Sequence, residues 1–360
     1  MQNWGKSQGL FLLHFPIRPL REVAKPFMGT GRLFSLGCNT LYHRFMASLR
    51  IVFMGSPSFV IPILASTERA ASELGGEIVA VYAAADRPAG RGRRLLASPI
   101  KEYAQVRGME VLTPSRVTND EEKSRFTELG ADLVVLAAYG LLLPESFVLG
   151  PNHGAVNVHP SLLPRHRGAS PVAGAILAGD LTTGTTIMKM DKGLDTGDVL
   201  AMEEVSLTGA ERAPGLTQDL FLLGARMLTN ILPAYLEGSL IPKPQATDGA
   251  TLIKRFKKKE GLLDWGLSAV DLERHIRAFD PWPGTATTYR GERLDILWGT
   301  VLEPGEGVPG TVVFERNEVA VSTGKGFLVL NKVQLAGGKP MAATDFVRGH
   351  PHFIGTTLPS

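Results

Sequence analysis

The sequence predicts an α/β fold: a mostly parallel sheet with helices on its faces, followed by a small β-barrel. Three observations predict it. Leu49 to Met54, Glu77 to Tyr82 and Asp132 to Ala137 are near-continuous apolar runs, as strands buried on both faces of a parallel sheet require. Stretches with helix-start signals and helical spacing separate or follow them. Past residue 280 the pattern changes to short β-type runs broken by turns, the signature of a small barrel.

Length and composition bound the reading. A chain of 360 residues can build two domains with sizeable cores. Hydrophobic content of 44% and charged content of 20% fit a globular protein. A single cysteine, Cys38, excludes an internal disulfide framework and any multi-cysteine metal site, and no metal is expected. No apolar run reaches membrane-spanning length, so no membrane partner is expected. The net charge of +3 divides unevenly. Residues 1–48 hold six basic residues and one acid; the rest holds 32 basic and 34 acidic residues. The body is therefore not globally basic, and nucleic-acid binding would use local patches.

Residues 1–48 show no periodicity. Their basic, acid-poor, Ser-, Gly-, Leu- and Phe-containing composition fits an organellar transit peptide, or a spurious extension with translation starting at Met46. They are expected to be an unstructured extension outside the fold. The compartment is then the cytoplasm, or a mitochondrion or plastid if the segment is a transit peptide.

Leu49 to Met54 opens the sheet. Gly55-Ser56-Pro57 turns into a helix, with Ser56 as cap and Pro57 at its first position. This opening is Rossmann-like, but no Gly-x-Gly-x-x-Gly follows, which argues against a dinucleotide site. After Glu77 to Tyr82 comes Asp86-Arg87-Pro88-Ala89-Gly90-Arg91-Gly92-Arg93-Arg94, too rich in Gly, Pro and Arg for regular structure. Four arginines usually mean a solvated surface; with glycines between them they also suit phosphate contacts. Asn119 and Glu122 form a capping-box-like helix start. The strand Asp132 to Ala137 exits into Tyr139-Gly140-Leu141-Leu142-Leu143-Pro144, by composition a core loop.

Ala155-Val156-Asn157-Val158-His159 alternates apolar and polar residues. In a strand, Asn157 and His159 share one face and the valines the other. Pro160 lacks a ladder donor and ends the strand. Alone, such a pair reads as a solvated strand end. Here it opens into the turn-rich Ser161 to Gly168, and Ser170-Pro171 then signals a helix. A second strand, Thr186 to Met190, leads into the polar turn Asp191 to Asp198. Were the two strands adjacent and parallel, their C-terminal loops would meet where open α/β sheets bind ligands.

Leu216, Leu220, Leu223, Met227 and Ile231 recur at helical spacing as core. Gly238 to Gly249 reads as a linker. Lys254-Arg255-Phe256-Lys257-Lys258-Lys259 is a basic, solvent-facing run. Ser268 with Asp271 caps a helix carrying Leu272, Ile276 and Phe279. Strands are expected at Thr285 to Tyr289, Arg293 to Trp298, Gly310 to Phe314, Val319 to Ser322 and Phe327 to Leu335.

Asn157-x-His159-x-Ser161-Leu162-Leu163-Pro164-x-x-Arg167-Gly168, with Leu194-Asp195-x-Gly197 downstream, resembles the signature of the folate-dependent formyltransferases. The resemblance implies a catalytic group of Asn157, His159 and Asp195. It implies a folate site along Ser161, Leu162, Leu163 and Pro164, with Tyr139, Gly140, Leu141 and Leu142 against the pterin. The loop carrying Arg87, Arg91, Arg93 and Arg94 resembles that of the branch acting on methionyl-tRNA, where it enters the acceptor end of the initiator. Phe279-Asp280-Pro281-Trp282-Pro283 continues that likeness, so it runs from about Leu49 to the C-terminus. It implies an OB-like tRNA-binding barrel, for which Lys254, Arg255, Lys257, Lys258 and Lys259 are further contact candidates. The implied organisation is a formyltransferase domain at 49–238, a linker at 239–252 and the tRNA-binding domain at 253–360. The implied reaction carries a formyl group from 10-formyltetrahydrofolate to the amine of initiator methionyl-tRNA, in a monomer without metal.

Such a reaction develops an oxyanion, which needs aimed donors. Asn157 offers an amide N–H, and His159 a ring N–H. Asp195 either holds His159 in its tautomer or passes on the amine's proton; as a bare Asp beside Gly it also reads as a turn residue bonded to its own backbone. Three positions depart from the family pattern: Ala85 for proline, Pro160 for a small residue, and His166 for an aromatic, commonly tryptophan. None replaces a catalytic group. Two rivals remain open at this level. One is a formyltransferase acting on a glycinamide ribonucleotide or a nucleotide-sugar amine. The other is a catalytically silent RNA-binding protein.

Overall fold

A computed structural model describes residues 48–89 and 94–359. All but the last residue of the expected N-terminal extension, with Cys38 and Met46, lies outside them, as do Arg91 and Arg93.

The strand-rich first half begins with β1 (Arg50–Gly55), a short 3-10 turn, α1 (Ile61–Glu73) and β2 (Glu77–Tyr82). A small ribbon, β3 (Arg87–Ala89) and β4 (Arg94–Leu96), leads to α2 (Pro99–Val106) and β5 (Val111–Leu112). Then come α3 (Asp120–Glu128), β6 (Leu133–Ala137), α4 (Glu145–Val148) and β7 (Ala155–His159). β8 (Arg167–Gly168), α5 (Pro171–Ala178), β9 (Thr182–Lys189), β10 (Val199–Ser206) and α6 (Ala213–Leu236) follow. The second half holds β11 (Leu252–Ile253), α7 (Ala269–Ala278), β12 (Ala286–Tyr289), β13 (Glu292–Leu302), β14 (Val312–Glu315), β15 (Glu318–Ser322), β16 (Phe327–Leu335), β17 (Met341–Ala342) and α8 (Ala343–Gly349).

The first sheet has the order β10-β9-β7-β6-β1-β2-β5. Its five strands from β7 to β5 are parallel. Three of them, β1, β2 and β6, are the apolar runs read from the sequence, and they are buried on both faces; β5 is not among the expected strands. Val156 and Val158 join the core under α1 and α6, while Val52, Met54, Tyr82 and Val134 join the core with Phe126 of α3 and Phe147 of α4. Leu216, Leu220, Leu223 and Met227 of α6 are buried as their spacing requires. Gly224 lets α6 lie directly on β7: any Cβ there would overlap Val158 Cγ1.

One topological expectation is overturned. β9 begins at Thr182 and pairs with β7 antiparallel, His159 opposite Thr186 and Val156 opposite Lys189. Strand periodicity carries no direction, and a hairpin to β10 captured the edge instead.

Three cap signals do not form the expected cap bonds, and two of their side chains, Ser56 and Glu122, take partners elsewhere. Ser56 sits before the 3-10 turn, not at a helix cap, and its Oγ accepts from the Ala84 N–H at 3.0 Å, tying the exits of β1 and β2. Asn119 and Ser170 hold the cap positions without a side-chain cap bond. Glu122 is buried and accepts from the Tyr82 hydroxyl at 3.0 Å. Ser268 does cap α7: its Oγ accepts from the Asp271 N–H at 3.1 Å and donates to Asp271 Oδ2 at 2.6 Å.

The second sheet is antiparallel, ordered β12-β13-β16-β15-β14, with β17 on β16. It curls into a half-barrel around Leu272 and Ile276 of α7, Phe346 of α8 and Phe353. Arg212, just before α6, joins the two halves. Its Nε donates to Asp280 Oδ2 at 2.9 Å and its Nη2 to the Leu297 carbonyl at 3.2 Å, while its guanidinium lies 4.8 Å from the Trp298 ring centre. No helix among the described residues is long and apolar enough to cross a membrane.

Candidate active site

The site grows from the exit of β7. Asn157 and His159 share the face opposite Val156 and Val158, and both are nearly buried, at 7% and 4% exposure. The strand stops at His159 and Pro160 turns the chain away. Thr186, opposite His159, fixes that exit: its hydroxyl donates to the Ser161 carbonyl at 2.7 Å and accepts from the Leu163 N–H at 3.2 Å. Ser161 is fully buried and its Oγ donates to the Arg165 carbonyl at 2.7 Å.

The His159 imidazole is oriented by a backbone group. Its Nε2 lies 3.0 Å from the His166 carbonyl oxygen. A carbonyl only accepts, so Nε2 carries a proton in either charge state. Nδ1 is then the nitrogen that gains or loses one. It faces Asp195 Oδ2 at 3.8 Å.

Asp195 reaches this point from an unexpected direction. β9 ends beside Val156, at the far end of β7 from His159, so the loop 190–198 must double back along the sheet. Asp191 shapes its start, accepting from the Gly193 N–H at 2.9 Å and the Thr196 hydroxyl at 2.8 Å. Gly197 passes so close to the Lys189 carbonyl that no Cβ fits there. The self-bonded turn residue of this loop is thus Asp191. Asp195 instead turns its carboxylate inward, accepting from the Asn157 amide at 3.4 Å through Oδ1 and from the Gly168 N–H at 2.8 Å through Oδ2. Its backbone is left-handed, φ +54°, uncommon for a residue with a side chain.

The turn 164–169 carries both backbone groups that meet these side chains, and the expected linker templates it. β11 pairs parallel with β8. The Thr251 hydroxyl accepts from the His166 N–H at 2.8 Å and the Thr251 carbonyl accepts from the Arg167 N–H at 2.9 Å. Gln245 of the same segment accepts from Arg167 and donates to the Asp195 and Gly197 carbonyls. Residues 238–249 therefore do more than connect; sequence reading missed Gln245 because its partners lie 48 to 78 positions away.

His166, the departure from an aromatic, is buried and left-handed at φ +58°. Its Nε2 meets Asp180 Oδ2 at 2.6 Å, and Asp180 also pairs with Arg165. Burial lowers the His166 pKa, opposed in part by Asp180. Burial disfavours the Asp180 carboxylate, but hydrogen bonds from Arg165 and His166 outweigh it and hold that carboxyl below its usual value. With Nε2–H donated to Asp180, His166 Nδ1 is a buried acceptor without a partner.

The other predicted site residues scatter. The Tyr139 ring turns into the core, edge-on to Tyr82, with its hydroxyl unpartnered and its pKa pushed up by burial. Gly140, Leu141 and Leu142 are exposed, Leu142 at 83%. Leu163 is buried and Leu162 and Pro164 half-buried. Arg87, Lys254, Arg255, Lys257, Lys258 and Lys259 are exposed, and Arg94 lies on β4. Among the described residues no group of three His, Cys, Asp or Glu side chains could hold a metal ion.

Comparison with known proteins decides the family. Residues 49–231 match the family described as formyl transferase, and residues 255–351 match the formyl transferase C-terminal domain. The chain belongs to the formyl transferase family. This formyltransferase is 44% identical over 312 residues to a methionyl-tRNA formyltransferase of Paramagnetospirillum magneticum, covering 86% of this chain and 100% of that one. It is 43% identical over 306 residues to the methionyl-tRNA formyltransferase of Myxococcus xanthus, covering 85% and 96%. Among solved structures, an N-formyltransferase from Helicobacter canadensis in complex with folinic acid and dTDP-3-aminofucose shares the fold at 15% identity and a TM-score of 0.57, over 79% of this chain and 99% of that one. HypX from Aquifex aeolicus in complex with tetrahydrofolic acid shares it at 16% identity and a TM-score of 0.53; the match covers 84% of this formyltransferase and 47% of HypX.

Proposed function

We propose that this formyltransferase moves a formyl group from 10-formyltetrahydrofolate to the amino group of initiator methionyl-tRNA, giving the N-formylmethionyl-tRNA that starts translation. Identity to the methionyl-tRNA enzymes across both halves of the chain supports the acceptor. The single observation that carries the chemistry is the convergence of Asn157, His159 and Asp195, with the carboxylate 3.4 Å from the amide and 3.8 Å from the imidazole.

The formyl donor supplies a carbonyl carbon on a nitrogen leaving group. As the acceptor amine adds, the carbonyl electron pair moves to oxygen, and that negative charge needs donors already in place. Asn157 has a second amide hydrogen beyond the one given to Asp195. His159, once Nδ1 is protonated, presents an N–H with a positive charge behind it. One such donor is worth about 2.7–4 kcal/mol of barrier. Asp195, 3.8 Å from Nδ1, stands ready to relay the amine's proton toward the leaving nitrogen. The tautomer is set by the His166 carbonyl, which leaves Asp195 free for the proton role.

Exposed Leu141 and Leu142, just past the C-terminal end of β6, suit a flat pterin that covers apolar surface. We assign Ser161 a structural part in shaping the folate side, since its hydroxyl is already taken. The division of labour we propose is catalysis in 49–238, a connecting segment at 239–252, and tRNA binding in 253–360, with Arg87, Arg91, Arg93, Arg94 and the run from Lys254 to Lys259 on phosphates. A monomer suffices, because one chain supplies all three catalytic groups. Bacterial-type initiation implies the cytoplasm, or an organelle of bacterial descent.

The test offers labelled formyl-folate with charged initiator tRNA, and in parallel with an amino-sugar nucleotide. Transfer to the tRNA alone is expected. Transfer only to the sugar amine, or RNA binding without transfer, would replace the proposal.

A further inference from the structure

We propose that Gln245, on the segment joining the two halves, is a positioning residue that sets where the Asp195 carboxylate stands. The inference rests on reading Asp195 as a catalytic group.

The Gln245 amide is fully committed. Its Oε1 accepts from Arg167 Nη2 at 2.7 Å and Nε at 3.2 Å, and its Nε2 donates to the Asp195 carbonyl at 2.9 Å and the Gly197 carbonyl at 2.7 Å. A guanidinium only donates and a carbonyl only accepts, so the amide fits one way round. Reversing it would set oxygen against two carbonyl oxygens.

Those partners are the two pieces that meet at the carboxylate. Arg167 belongs to the turn whose next residue, Gly168, gives its N–H to Asp195 Oδ2 at 2.8 Å. Asp195 and Gly197 belong to the loop that doubles back along the sheet. Nothing in the strand ladder holds that loop over Asn157 and His159, because β9 has already ended at Lys189. Asp195 is also in a sparsely populated left-handed conformation, which persists only where surrounding bonds hold it. The bond that Gln245 Nε2 donates to the Asp195 carbonyl does that. Gln245 is itself anchored on both sides: Lys243 and Val199 exchange backbone bonds at 2.7 and 2.8 Å, and Thr251 is pinned to the His166–Arg167 turn. The joining segment thus fixes a clamp across the active site.

The test uses the full chain with Gln245→Glu and Gln245→Met, alone and combined with Asp195→Ala. Glutamate keeps the acceptor for Arg167 and loses both donors; methionine keeps bulk and loses both functions. Thermal midpoint, kcat and the KM values for the formyl donor and charged tRNA are measured. If Gln245 positions the carboxylate, both variants stay folded, kcat falls by up to about a hundred-fold and both KM values hold, since a small misplacement of a reacting group costs rate rather than affinity. In the Asp195→Ala background the same changes at 245 then alter kcat little, because their target is gone. Wild-type kcat in Gln245→Glu overturns the proposal, as does an equal loss with and without Asp195. If Gln245→Met unfolds, Gln245→Glu decides; loss of fold in both overturns it too. Full turnover in Asp195→Ala alone is a different result: it removes Asp195 from the chemistry, and the proposal falls with that reading.

Discussion

His159 Nε2 lies 3.0 Å from the carbonyl oxygen of His166, and the proton on that nitrogen is thereby fixed. All acid–base chemistry of the ring falls to Nδ1. His159→Gln keeps a terminal amide donor near the carbonyl but has nothing that titrates toward Asp195. It is expected to stay folded, with thermal midpoint close to wild type, and to lose turnover about as far as His159→Ala. Near-full kcat in His159→Gln would mean that orientation alone, without a titrating nitrogen, is what the site needs.

Asn157→Ala removes an amide that both donates to Asp195 and has a hydrogen to spare. Asp195→Ala removes the carboxylate facing Nδ1. Asn157→Ala is expected to cost about 10²–10³ in kcat, the usual effect of deleting one donor at a developing oxyanion, and Asp195→Ala about 10²–10⁴, the usual effect of deleting a proton-relay group. Circular dichroism should show both chains folded. Since Asn157 and Asp195 touch, the double variant should lose less than the product of the two single losses.

His166 makes stability depend on pH. Its folded pKa lies below the 6.5 of a free imidazole. Between the two values the unfolded chain holds a proton that the folded chain does not. The contribution is therefore complete above about pH 6.5 and is lost as pH falls through the folded value. Asp180, also lowered, adds a similar loss only below its ordinary 3.8. Melting curves between about pH 7.5 and 5.5 should show a shallower slope for His166→Gln than for wild type. An unchanged slope would place the titration on another group.

Arg91→Ala tests the arginine-rich loop, whose assignment rests on sequence. KM for charged tRNA should rise, kcat and the KM for the formyl donor should hold, and the salt dependence of tRNA binding should become shallower by roughly one unit of log–log slope. Identical tRNA kinetics would take this residue off the phosphate backbone.

The parts legible in the sequence were those governed by local pattern. Apolar runs named three of the five parallel strands, and the alternation in Ala155 to His159 named a fourth and set Asn157 and His159 on one face; the two-residue β5 left no pattern to read. Partnering over distance was not legible. Strand alternation reads the same in either direction, so the antiparallel β9 was missed. Ser56 and Glu122 carry cap chemistry, yet found Ala84 and Tyr82 across the fold. Composition read the Tyr139 stretch as a core loop, and the ring does pack in the core beside Tyr82; only the family resemblance set it against the pterin. Asp195 near His159 was reached through family resemblance alone; the residues themselves allowed a self-bonded turn, and that part fell to Asp191.

Two glycines in α6 look interchangeable to anyone hardening this protein by replacing helical glycine with alanine. Gly215 faces open space, and filling it should raise stability by about 1 kcal/mol. Gly224 rests on Val158, the residue between Asn157 and His159, where an added methyl must push the strand. A substitution chosen for robustness on the back of the sheet would surface at its front as lost turnover.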